Sequence, residues 1–244
     1  MLSLMLELSV SVANLVAILA GIGLVVGGLS YTGVAGAFSR ELLLYADGNV
    51  PLMLIAGAVT SFILGMGMTV SACYIFLSIL LAPALVEAGL NPLASHLFIL
   101  YWGMMSYITP PVALASITAA GIAGSNSWQT GMYSMRLGGI LFILPFMFVL
   151  NPSLILQGPV GPILLSSITA VVATWTLASG SEGYLYRAGM IAWPVRILLL
   201  IASFMLIVPG LMTDSIGLAL LACSYLLALL APGMSWKTKQ TALG

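Results

Sequence analysis

Charge is what this sequence has least of. Its 244 residues hold six Lys or Arg and six Asp or Glu, 5% of the chain, where soluble domains carry about 25%. Gly48 to Val86 contains none of the four, and neither does Ala88 to Met135. The balance is a net charge of zero with no basic stripe, which excludes the electrostatic footprint of a nucleic-acid binder. Histidine is scarcer still, with His96 alone. An intramembrane hydrolase or acyltransferase needs a positioned base, and no Asp, Glu, Lys or Arg serves the hydroxyl-rich block from Ala88 to Met135, at whose edge His96 stands. Without a base, Ser and Thr are poor nucleophiles, so no enzyme is expected. The two cysteines, Cys73 and Cys223, are far apart in apolar surroundings, form no CxxC or Cys/His cluster, and read as small buried side chains. Met1 to Val10 lacks the basic start of a cleavable signal and carries Glu7, so the first segment is expected to be retained.

Apolar residues fill the space that charge leaves. They make up 61% of the chain, and mean hydropathy is +1.20. A lipid bilayer is the matching solvent. Crossing one takes roughly 20 apolar residues, and against that length the charges cut the chain into measurable blocks. Leu8 to Ser39 holds one span, ending near Gly27-Gly28. Four further crossings are expected at residues 137–151, 162–179, 194–210 and 215–231, each stopped by Pro or Gly as helices commonly are. With those crossings Arg136, then Arg187 and Arg196, then Lys237 and Lys239 all fall on one side, which the positive-inside rule makes cytoplasmic. The loops at Asn151 to Pro162 and Pro209 to Asp214 hold no basic residue.

Two blocks do not parse into clean spans. The first predicts a helix over Val50 to Leu64, a break at Gly65-Met66-Gly67-Met68-Thr69, and a second helix to Leu81 before Pro83. In the second, "SYITPPVALASITAAG", Pro110 and Pro111 remove two backbone donors, and Thr109 is biased from the helical region by the proline after it. Backbone freed at membrane depth persists only where protein or a water-filled cavity covers it. Hydroxyls flank both breaks: Thr69 and Ser71 at the first, and Ser106, Thr109, Ser116 and Thr118 at the second. Paired discontinuous helices present freed carbonyls to a cation and N–H groups to an anion, so an ion or substrate site is expected there. The blander alternative is close helix packing through small residues, with hydroxyls bonded to their own helices.

These residues resemble the large membrane subunit of TRAP transporters (tripartite ATP-independent periplasmic transporters), in the fused form that works with TAXI-type solute receptors. The matching text is "YTGVAGAFS" (Tyr31 to Ser39), "LGMGMTVSACYIFLSILLAPALVEAGLNPLASHLFILYWGMMSYITPPVALASITAAGIAGSN" (Leu64 to Asn126) and "TGMYSMRLGGILFILPFMFVLNPSLIL" (Thr130 to Leu156), and the tail through "VPGLMTDSIGLAL" is similar to that of fused permeases. The resemblance implies an elevator-type secondary transporter that couples organic-anion import to sodium entry, fed by a periplasmic receptor. It implies two inverted repeats, each with a re-entrant hairpin and a broken helix, of which this chain holds the second repeat over residues 1–156 and a C-terminal transmembrane extension over 157–244. A first repeat or a small membrane subunit is then an expected partner. The chain departs from the family at one point. Where a proline and two threonines usually follow GMG and an apolar residue, Thr69, Val70 and Ser71 stand here, so a hydroxyl ligand has become the methyls of Val70, and the carbonyls of Gly65 to Met68 remain as donors of oxygen.

The expectation is therefore an all-α, multi-pass inner-membrane protein of about seven to nine segments with broken or re-entrant helices, one repeat of an elevator-type transporter. The site residues expected are Gly65, Gly67, Met68, Thr69 and Ser71 at the first break and Ser106, Thr109, Pro110 and Pro111 at the second, with Na+ as coupling ion and no other cofactor. The alternative function is a truncated scaffold that transports nothing. Among the remaining polar residues, His96 reads as interfacial at a span start, Glu87 as solvated, Arg136 as a helix-start anchor at the cytoplasmic surface, and Asp214 as a helix cap. Tyr101, Trp102 and Tyr107 read as packing and interface-belt residues.

Overall fold

A computed structural model describes residues 2–47, 49–66 and 68–230. The chain divides between Ser134 and Met135 into two compact units, and apart from one hairpin of two-residue strands the described elements are helical. The all-α membrane fold expected from the sequence is the one observed.

The first unit opens with α1 (Leu2–Tyr31), 30 residues long, or ~45 Å. It runs through Gly27-Gly28 instead of ending there, because a helical glycine costs only about 1 kcal/mol. The helix stops at Thr32-Gly33, where Gly33 takes φ 73 before α2 (Val34–Ala46). Then follow α3 (Val50–Gly65), α4 (Val70–Leu80), α5 (Ala82–Glu87), α6 (Pro92–Met104), a 3-10 turn (Met105–Tyr107), α7 (Leu114–Ala123) and α8 (Ser127–Leu137). Side-chain caps start several of these helices. Asn49 Oδ1 accepts from the Leu52 N–H at 3.2 Å, Asn91 Oδ1 from Ala94 at 3.1 Å, and Asn126 Oδ1 from Gln129 at 3.1 Å, each satisfying an orphan donor. Pro51 and Pro92 stand in first turns, where no N–H is needed. The core of the unit is Met53 and Leu54 of α3, Leu77 of α4, Leu85 of α5, and Phe98 and Ile99 of α6, all essentially inaccessible, with α6 packed on α3, α4 and α5.

The second unit holds α9 (Gly139–Leu150), a 3-10 turn (Pro152–Ile155), α10 (Val160–Glu182), a hairpin of β1 (Tyr184–Leu185) and β2 (Gly189–Met190), α11 (Trp193–Ile207) and α12 (Leu211–Leu230). Among the described residues, α10 and α12 are by themselves long and apolar enough to cross a bilayer. The crossing expected at 137–151 is shorter: α9 has 12 residues, and Gly138 separates it from α8. Because Asn126 starts α8 at Ser127, Arg136 ends a helix and does not begin one, at the terminus where a cation is favoured. Asp214 lies in the first turn of α12, and its own N–H donates to Gly210 O at 2.9 Å, so the position it occupies is inside the helix and not the cap. Helix α11 packs on both α10 and α12. The approach to α12 is through Gly217, where a Cβ would sit 2.7 Å from Leu206 Cγ and 3.1 Å from the Ala202 carbonyl oxygen, the close backbone contact that small residues allow in membranes. Lys237 and Lys239 lie outside the described residues.

Candidate functional site

Both breaks form where the sequence puts them. Helix α3 ends at Gly65 and α4 starts at Val70 with Thr69 as its cap. Helix α6 gives way to the 3-10 turn at Met105, and α7 resumes only at Leu114 after the cis Pro110–Pro111 peptide. Ala113, entering α7, takes φ 40, a conformation uncommon outside glycine, and its N–H meets the carbonyls of Ser106 and Thr109, both at 3.1 Å.

The two breaks touch each other. Ser106 is fully buried, and its hydroxyl donates to the Gly65 carbonyl at 2.9 Å, with the Gly103 carbonyl also in reach at 3.2 Å. Beside it the Tyr107 hydroxyl donates to the Met68 carbonyl at 3.3 Å. Two carbonyls freed by the first break are thus covered by two hydroxyls of the second, which is how released backbone is kept at depth. Glycine makes the approach close enough. A Cβ on Gly65 would run into the Gly103 carbonyl oxygen, and one on Gly103 would lie 2.9 Å from Cys73 Sγ of α4.

The other expected site residues divide by surroundings. Thr69 turns to its own helix, its Oγ1 accepting from the Ala72 N–H at 3.4 Å, and Ser71 is exposed in the first turn of α4. Thr109 is 6% exposed, and its hydroxyl has no hydrogen-bond partner among the described residues. The same holds for Ser61, fully buried one turn before Gly65. A buried hydroxyl without a partner is unfavourable, and Thr109 has it in the segment where the backbone is least regular. Pro110 packs on α8, where a Cβ on Gly131 would come within 2.8 Å of its Cγ, while Pro111 is exposed. Ser116 donates to Ser134 Oγ at 2.8 Å, and Thr118 bonds back to Leu114 O. Gly67 lies outside the described residues.

Three participants were not anticipated. Tyr107 is a polar partner of the first break and not merely packing, and Gly103 and Gly131 supply close approaches that nothing in their flanking sequence distinguishes from other glycines. His96 meets α4, its Nδ1 lying 3.1 Å from the Tyr74 hydroxyl with the rings edge to face at 5.9 Å. Chemically the junction offers hard oxygen, from main-chain carbonyls and hydroxyls. Among the described residues no group of three or more His, Cys, Asp or Glu could hold a metal ion.

Apolar helices interrupted in pairs, with the interruptions joined over freed carbonyls, are an arrangement found in secondary transporters. The chain belongs to the tripartite ATP-independent periplasmic transporter family: residues 1–163 match the model of its DctM component. No curated protein and no solved structure matches the chain. Membership makes it a membrane component of such a transporter and implies a periplasmic solute receptor as partner.

Proposed function

We propose that this chain is part of a sodium-coupled secondary transporter of the inner membrane that imports organic anions, carboxylates above all, delivered by a periplasmic receptor of the TAXI type. In this reading residues 1–156 are the second repeat of a large-permease domain, with re-entrant hairpin and broken helix, and 157–244 are a C-terminal transmembrane extension. The chain passes the membrane several times and works with a first repeat or small membrane subunit. The observation that carries the reading is the Ser106 hydroxyl on the Gly65 carbonyl, which joins two helix breaks into one oxygen-lined junction. Carbonyl and hydroxyl oxygens suit a hard alkali cation, as discontinuous helices do in other secondary transporters. The proposed ion and substrate contacts are Gly65, Gly67, Met68, Thr69 and Ser71 with Ser106, Thr109, Pro110 and Pro111.

Uptake by proteoliposomes containing this chain, the complementary permease part and a loaded receptor tests it. Thr109→Val keeps shape and removes the unpartnered hydroxyl. Loss of one oxygen ligand worth about 1.4 kcal/mol raises the half-saturating sodium concentration about tenfold. An unchanged sodium response removes Thr109 from the site, and no sodium-driven uptake from the complete assembly favours the scaffold alternative.

A further inference from the structure

The hairpin after α10 presents a surface for which transport has no evident use. Tyr184 pairs with Met190 and Leu185 with Gly189. Strand alternation sends Leu185 inward, fully buried with Val195 and Leu199, and turns Tyr184 and Tyr186 outward. Tyr184, Tyr186, Met190 and Trp193 are each more than half exposed. Arg187, in the turn between the strands, has φ 68 and is exposed. The presentation is fixed: Tyr225 of α12 donates to the Tyr186 carbonyl at 3.0 Å, and the Ile191 N–H donates to the Gly183 carbonyl at 2.9 Å.

The three arginines among the described residues of this unit are not equivalent. Arg136 pairs with Glu182 at 3.0 Å. Arg196 donates to the Gly180 carbonyl at 3.0 Å and the Ser181 carbonyl at 2.7 Å, and its guanidinium lies 4.6 Å from the Trp193 ring centre. Arg187 makes no ion pair and no hydrogen bond with any described residue. The depth of the hairpin follows from α10. Its 23 residues rise ~35 Å against a hydrocarbon core of about 30 Å, so a hairpin joined directly to its end emerges among the lipid headgroups. Tyr and Trp concentrate at that level, and a free cation there meets phosphate.

We propose that the Tyr184–Met190 hairpin, with Trp193, is a surface anchor seated in the headgroup layer at the C-terminal end of α10, with Arg187 holding the phosphate of an anionic phospholipid. Lipid fits better than a protein partner, because the patch is continuous with a bilayer-crossing helix and consists of four side chains and one guanidinium, where a stable protein interface takes ~20–30 residues a side.

The test uses the full chain in nanodiscs of phosphatidylcholine and of an equimolar mixture with phosphatidylglycerol. Cys223→Ala and Met190→Cys leave one accessible thiol, since Cys73 is buried, and that thiol takes a spin label. The label should show the oxygen and nickel-chelate accessibilities of the headgroup region. Full chelate access would overturn the proposal, and so would shielding that rises with protein concentration, the mark of a second copy. Arg187→Gln, a change at a side chain with no partner among the described residues, should lower phosphatidylglycerol retention in native mass spectra about fivefold, and Arg187→Lys should restore it. Equal retention by wild type and Arg187→Gln would overturn the role of the guanidinium.

Discussion

At the scale of single residues, the junction of the two breaks rests on places where a side chain is missing. Gly65 faces the Gly103 backbone so closely that no Cβ fits, and backbone atoms cannot rotate away as a flexible side chain would. Gly65→Ala should therefore push α3 from α6, weaken the Ser106 bond to the Gly65 carbonyl, and destabilise the chain by about 1–3 kcal/mol, the usual range for overpacking. Gly121→Ala is the matched control. That glycine is also helical but has open space around its Cβ position, so alanine should be neutral or stabilise by ~0.5–1 kcal/mol. Thermal unfolding of both variants in the same detergent separates the cases, and an equal response would mean that the Gly65 contact relaxes freely. The glycine pattern was legible in the sequence as a break. Its partner was not, because Gly103 lies in an unbroken apolar run, and what singles it out is a neighbour from another helix.

At the scale of elements, α10 shows how a membrane helix is ended by cations of unequal weight. Its last carbonyls are free by helix geometry, and Arg196 covers two of them from a half-buried position, with Gly183 giving the guanidinium room. Arg196→Met should cost about 1–2 kcal/mol through lost charged hydrogen bonds and lost dipole complementarity. Glu182→Gln should change stability by under ~1 kcal/mol, because the Arg136–Glu182 pair is 47% and 41% exposed and such pairs are weak. Denaturation followed by helical signal checks both, and a larger effect at Glu182 would reverse the assignment. Element boundaries near glycine and proline are legible in the sequence. The expected helix at Val50 to Leu64 is found at Val50–Gly65, and the one ending at Leu81 is found at Val70–Leu80, because the glycines at Gly65 and Gly67 and the proline at Pro83 mark where helix gives out. Contacts across long sequence separation were not readable: Ser106 and Tyr107 reach back 41 and 39 residues to their carbonyls, and no local pattern names that pairing. The Thr69 cap on α4 does have a local signal, since a threonine just ahead of an apolar helical run is a common cap.

At the scale of the molecule, orientation is the property on which substrate delivery depends, and the C-terminal unit lets it be tested within one body. Arg136 and Arg196 both reach the C-terminal end of α10, and Arg187 stands in the hairpin that follows. The opposite end, Asn151 to Pro159, carries no charged residue at all. The positive-inside rule then assigns the arginine end to the cytoplasm, which leaves the Asn151 to Pro159 turn facing the compartment where a periplasmic receptor would dock. With Cys223 replaced by alanine, Gln157→Cys and Arg187→Cys place a single accessible thiol in turn at each end of α10. A membrane-impermeant maleimide applied to intact spheroplasts should label position 157 promptly and leave position 187 unmodified until the membrane is permeabilised. The reverse order would invert the unit, put the arginines outside and detach the receptor from the face proposed for it. Equal labelling of both positions before permeabilisation would mean that α10 does not cross the bilayer, although its 23 residues exceed the length that crossing requires.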